Sequence, residues 1–148
     1  LNYLMKDCFV LKPHPKSAST EMYDYQYISI LEKKFSNINR YNFLRTLVNF
    51  TANSIVENIN KVSTFLKLSN MDIIISGGGI KNKILFNDIN NQFKKNNVSL
   101  MDYKGLNIDN KESFLMCLLG YTRYFNLHNN IPSVTGAKSD VSCGEIYE

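Results

Sequence analysis

Three successive glycines, Gly77, Gly78 and Gly79, close the apolar run that begins at Met71 and lead into a helix-like pattern. Backbone without Cβ atoms can take positive φ and lets a ligand approach the main-chain amides closely. At the carboxyl end of a strand, such a loop lies where open α/β sheets bind their ligands. Ser76 adds a hydroxyl beside it, and Asn82 is placed to cap the next helix, whose free N–H groups would favour an anion. A nucleotide is the occupant that this chemistry suits. The spacing is not that of a P-loop, because no Gly-Lys-Ser/Thr follows, nor of G-x-G-x-x-G, because Asn82 takes the last position. The competing reading is a tight turn with no ligand. Glycine inside a regular element costs about 1 kcal/mol per residue, so three in a row argue for a loop that faces a ligand.

Other polar residues carry weaker signals. Lys16 could hold a carboxylate or phosphate, although a lone lysine after a proline is more often solvated. Glu112 follows Asp109 by three residues, the spacing of a capping box at a helix start. Thr135 and Gly136 read as a turn, with the glycine supplying an unusual φ. Cys8, Cys117 and Cys143 are far apart and form no CxxC pair, which suggests reduced thiols and no disulfide framework. Cys117 falls in a helical stripe as a small core residue. His14 and His128 are isolated, so no zinc site is expected.

The elements that must position these groups follow from periodicity. Leu1 to Ser19 reads as irregular, with Pro13 and Pro15 enforcing an extended path. A helix is expected from Thr20 to about Phe35. A second runs from about Tyr41 to Leu66, with Leu44, Leu47, Val48, Ile55, Val56, Ile59, Val62 and Phe65 as a core-facing stripe. Met71 to Ile75 has the composition of a strand buried on both faces. Ile84, Leu85, Ile89 and Phe93 mark a helix, Val98 to Tyr103 a second strand, and Glu112 to Phe125 another helix. The tail is turn-rich, with room for a terminal strand. Helix, strand, helix, strand, helix points to an α/β unit with a largely parallel sheet.

The 148 residues suffice for one domain, and no apolar stretch reaches the roughly 20 residues of a membrane-spanning helix. A net charge of +4 with scattered lysines allows mild attraction for an anionic ligand. The Lys94-Lys95 pair reads as a solvated helix end, so neither nucleic acid nor a membrane is an expected partner.

Four segments together resemble one known family. The loop Ser76 to Asn82 resembles the adenosine-contacting glycine loop of the sugar kinase, actin and heat-shock ATPase superfamily. Within it, "NIPSVTGA" (Asn130 to Ala137) followed by "CGEIY" (Cys143 to Tyr147) is similar to the C-terminal signature of the anhydro-N-acetylmuramic acid kinases. "PKSASTE" (Pro15 to Glu21) is similar to that family's P-K-S-T-G-R-E, and "TLVNFTANSI" (Thr46 to Ile55) to its T-L-x-x-x-T-A-x-S-I helix. Order and spacing agree over nearly the whole chain. The departures are Ser19 and Thr20, where the family has Gly and Arg.

The resemblance implies a cytoplasmic enzyme of cell-wall recycling that uses ATP and Mg2+. It would open the 1,6-anhydro ring of anhydro-N-acetylmuramic acid and phosphorylate the freed 6-oxygen. A carboxylate base in that family activates water for attack at the anomeric carbon. Neither that aspartate nor the amino-terminal phosphate loop has a counterpart here. The expectation is therefore a fragment: residues 1–148 as the single C-terminal lobe of an actin-like, ribonuclease H-like fold, inactive without its amino-terminal lobe. Ser76, Gly77, Gly78, Gly79 and Asn82 would contact the nucleotide. Glu112 aligns with a glutamate on the sugar side, and Lys16 is the second candidate there. A homodimer is also compatible. The alternatives are a non-catalytic binding domain of sugar-kinase ancestry and an unrelated Rossmann-like nucleotide binder, for which Asp102 lies near the required acidic position.

Overall fold

The computed structural model describes residues 1–14, 16–69, 71–93, 97–100, 102–103, 106–107 and 109–147. The Lys94-Lys95 pair and Pro15 lie outside them. Two compact units result, Leu1–Ser99 and Leu100–Glu148.

In the first unit, a 3-10 turn at Leu4–Lys6 is followed by one helical turn, α1 (Cys8–Leu11). The expectation of an irregular path from Leu1 to Ser19 is thus corrected for Leu4–Lys6 and Cys8–Leu11, and it holds for the described residues from Lys12 to Ser19. Asp7 accepts from the Phe9 N–H at 2.8 Å and caps α1, while Leu4 and Val10 are drawn into the core. The helix expected from Thr20 is a 3-10 turn (Thr20–Tyr23) and then α2 (Tyr25–Lys34). Asp24 separates them because its side chain caps α2 through the Tyr27 N–H at 3.0 Å.

α3 (Arg40–Phe65) begins at the Asn39 cap, whose side-chain Oδ1 accepts from the Tyr41 N–H at 2.9 Å. With neither glycine nor proline inside, it runs for 26 residues. It ends where Lys67 turns to φ 55° and the Leu68 N–H reaches the Ser63 carbonyl at 2.9 Å. Its burial corrects the single-stripe expectation. Phe43 and Phe50 join Leu4, Val10 and Leu31 in one apolar cluster, whereas Ala52 and Val56 join Ile73, Ile89 and Phe93 in another. Positions 50 and 52 are about 200° apart around a helix of 3.6 residues per turn. α3 is therefore a spine with a cluster on each side. Leu44, Ile55 and Phe65, assigned to the stripe, are exposed, Phe65 at 83%.

β1 (Asp72–Ile75) and β2 (Asn97–Leu100) pair as a small parallel sheet joined by α4 (Lys83–Gln92). The strand expected to be covered on both faces is covered on one: Ile73 is buried, while Ile74 is 59% exposed. α4 packs Ile89, and the residue that follows its last turn, Phe93, against α3, but Ile84 is exposed. Arg45 of α3 and Asp88 of α4 add a two-pronged ion pair at 2.6 and 2.8 Å.

The second unit opens with a short antiparallel pair, β3 (Asp102–Tyr103) and β4 (Leu106–Asn107), with Asp102 opposite Asn107. The sheet content is thus mixed. α5 (Lys111–Tyr124) follows, with no buried residue, and Cys117, expected in a core, is exposed. Among the described residues of the tail no terminal strand forms. Instead α6 (Pro132–Thr135) ends at Gly136, φ 75°, and the tail is pinned by two asparagines. Asn129 Oδ1 accepts from the Cys143 N–H at 2.7 Å, and Asn130 Oδ1 from the Val141 N–H at 2.8 Å.

Candidate functional site

The glycine loop owes its position to Ile73, whose burial against α3 and α4 fixes the direction in which β1 ends. Gly77 then takes φ 100°, ψ 164°, a region that L side chains rarely enter. Gly78 and Gly79 open a 3-10 turn (Gly78–Lys81). A Cβ built on any of the three would meet nothing within 4 Å. The loop therefore presents bare main chain to open space and is not a turn squeezed beneath other side chains.

Asn82 is the cap expected of it. Its Oδ1 accepts from the N–H groups of Ile84 at 3.1 Å and Leu85 at 3.2 Å. The same bonds occupy two of the N–H groups that an anion would have used. Replacing Asn82 by alanine is expected to destabilise the first unit by about 1 kcal/mol, read as a lowered urea midpoint at unchanged slope. Ser76 is exposed at the strand end, next to the first of the three glycines.

Lys16 is bound elsewhere. Its ammonium donates to the carbonyls of Phe9 at 2.8 Å and Val10 at 3.0 Å, and lies 4.9 Å from the centre of the Phe9 ring. It thereby satisfies carbonyls at the end of α1, which accounts for the residue without a ligand. Burial, and then the charge of Lys61, hold its pKa below the ordinary lysine value. Nearby, Tyr23 donates to Asp7 Oδ1 at 3.0 Å; burial and then this bond push its phenol pKa up.

Glu112 sits exposed in the first turn of α5. The capping box with Asp109 is corrected, because Asn110 occupies the cap position. The entry turn is built by Asn107, whose Oδ1 accepts from the Asp109 and Asn110 N–H groups at 2.9 and 3.1 Å. Asn110 Oδ1 in return accepts from the Asn107 N–H at 2.8 Å. Neither asparagine was expected in this role; the N-x-x-N spacing was the available signal. The glycine loop and Lys16 belong to the first unit and Glu112 to the second. Among the described residues, no cluster of three His, Cys, Asp or Glu offers a metal site, and no helix is long and apolar enough to cross a membrane.

Comparison with known proteins adds what geometry cannot. The family model described as anhydro-N-acetylmuramic acid kinase matches residues 1–148. A protein of that name from Actinobacillus pleuropneumoniae is 35% identical over 99% of this chain and 39% of its own length. Namesakes from Pasteurella multocida and Synechococcus elongatus are 33% and 30% identical, over 97% and 98% of this chain and 37% and 38% of theirs. The chain thus spans well under half the length of these relatives. With its whole length matched by the family model, it belongs to the anhydro-N-acetylmuramic acid kinase family.

Proposed function

We propose that this chain supplies the nucleotide-binding, C-terminal lobe of a cytoplasmic enzyme that hydrolyses the 1,6-anhydro ring of anhydro-N-acetylmuramic acid and phosphorylates its 6-oxygen with ATP, giving N-acetylmuramic acid 6-phosphate. The observation that carries this reading is the open glycine loop at the end of β1, with Gly77 in a backbone region that a side chain would strain. Adenosine fits it, because three residues without Cβ atoms leave the main chain free to lie against a flat base or ribose. In this reading Ser76, Gly77, Gly78, Gly79 and Asn82 meet the nucleotide. Glu112 faces the sugar, while Lys16, whose ammonium is held by the carbonyls of Phe9 and Val10, is given no part there. The actin-like fold and the placement at the carboxyl end rest on the order of the four resembling segments.

Mg2+ fits less well. The described residues offer it no carboxylate cluster, so this chain is given no part in holding the ion. No residue here is assigned as the base.

Co-expression with the remainder of a full-length relative tests the proposal. The 148-residue chain alone should not phosphorylate the anhydro-sugar, and the two polypeptides together should. Two folded, associated pieces that stay inactive would count heavily against it. A second reading, a non-catalytic domain of sugar-kinase ancestry, is favoured by α5, which leaves Phe114, Leu118 and Tyr121 exposed. Binding of a partner without any phosphotransfer would support that reading instead.

A further inference from the structure

Apart from the glycine loop, the first unit contains a cavity of about 510 Å3 between α1, α2 and α3. That volume falls within the roughly 300–1,000 Å3 of small-molecule sites. Phe9, Tyr23, Tyr27 and Phe50 give it an aromatic wall. Tyr23 stands edge-on to its neighbours, with ring centres 5.1 Å from Tyr27 and 6.2 Å from Phe50, so the wall is a packed array and not a set of loose rings.

Besides the Tyr23 and Tyr27 hydroxyls, the polar groups of the lining are of two kinds. At one side are His14 and Lys16, and among the described residues the lining holds no carboxylate. Lys16 spends two ammonium protons on the α1 carbonyls and keeps a third. The second set lies on α3. Thr51 and Ser54 turn their hydroxyl protons back to the Leu47 and Phe50 carbonyls, at 3.1 and 2.8 Å, and the Asn58 amide donates to the Ser54 carbonyl at 2.6 Å. What remains on this helix is acceptors. Asn58 Oδ1 is buried, and no donor among the described residues reaches it. Closed to solvent as well, that oxygen offers the cavity no contact and is left out of the site.

We propose that this cavity binds a small amphipathic anion, with an aromatic body against Tyr23, Tyr27 and Phe50 and an acidic head towards Lys16 and His14. The site is separate from the glycine loop and stands whether or not that loop binds ATP.

Anilinonaphthalene sulfonate has both features and reports apolar burial by fluorescence. Titrated into the 148-residue chain, it should bind saturably with one molecule per chain. Phenylnaphthylamine, which has the same rings and N–H but no sulfonate, should bind at least tenfold more weakly. Ser54→Phe and Thr51→Phe each fill the cavity and should abolish the saturable phase while the far-ultraviolet circular dichroism stays that of wild type. Leu118→Glu, on the exposed face of α5, should leave it unchanged. Equal affinity for the two probes would overturn the acidic head. Saturable binding that survives both filling variants, or is lost in Leu118→Glu, would overturn the site.

Discussion

Gly79→Val is expected to weaken adenine-nucleotide binding by the assembled enzyme at least tenfold while leaving its thermal midpoint within about 2 °C of wild type. The asymmetry follows from the local geometry. Gly79 is exposed, its φ lies outside the left-handed range, and an added Cβ would meet nothing within 4 Å. The fold has no need of glycine there. A ligand lying against the main chain does need it, because a branched side chain would stand where the ligand lies. Tenfold corresponds to about 1.4 kcal/mol, modest for such a clash. Gly77→Val is the companion case. At φ 100° it adds backbone strain of about 1–3 kcal/mol, so both affinity and stability should fall. Titration calorimetry with ATP and a thermal scan separate the two. Unaltered ATP affinity in Gly79→Val would remove the loop from the nucleotide site.

Ile89→Ala should lower the stability of the first unit by about 2–5 kcal/mol. Ile89 is 1% exposed and sits where α4 meets α3, beside Ala52, Val56, Ile73 and Phe93. Truncation removes methylene contacts and leaves a void. Two of the neighbours, Val56 and Ile73, are β-branched, and few rotamers are open to them for closing it. For about 100 residues, each kcal/mol corresponds to roughly 4–8 °C, so the thermal midpoint should fall by at least about 8 °C. Ile84→Ala is the matched control. Ile84 lies on the same helix but is exposed, and a change beyond about 1 kcal/mol there would contradict the packing described. Because Ile73 also aims β1, the Ile89 variant should weaken ATP binding as well, through displacement of the loop.

The amino-acid sequence by itself determined several of the local elements and the loop. The long helix α3, the strand before the glycines, the Asn82 cap and the αL turn at Gly136 all depend on near neighbours: periodicity, a side chain that reaches two or three residues along, and a residue without a Cβ. The family was legible for a related reason, since its motifs are short and ordered along the chain.

Tertiary structure decided which apolar residues are buried. Leu44, Ile55 and Phe65 satisfy a helical stripe as well as Val56 does, but α3 has a cluster on each side and its buried positions change face between Phe50 and Ala52. Ile74 has the same composition as Ile73, and only the placement of α3 and α4 on one side of β1 separates them. Long-range partners also set the role of Lys16. Nothing in Pro-Lys-Ser says that its ammonium folds back onto Phe9 and Val10. Asn129 and Asn130 hold segments 10 or more residues away, a pairing that no local pattern encodes. Burial and cross-chain hydrogen bonds depend on what arrives from elsewhere in the fold, whereas caps and glycine turns depend on the next few residues.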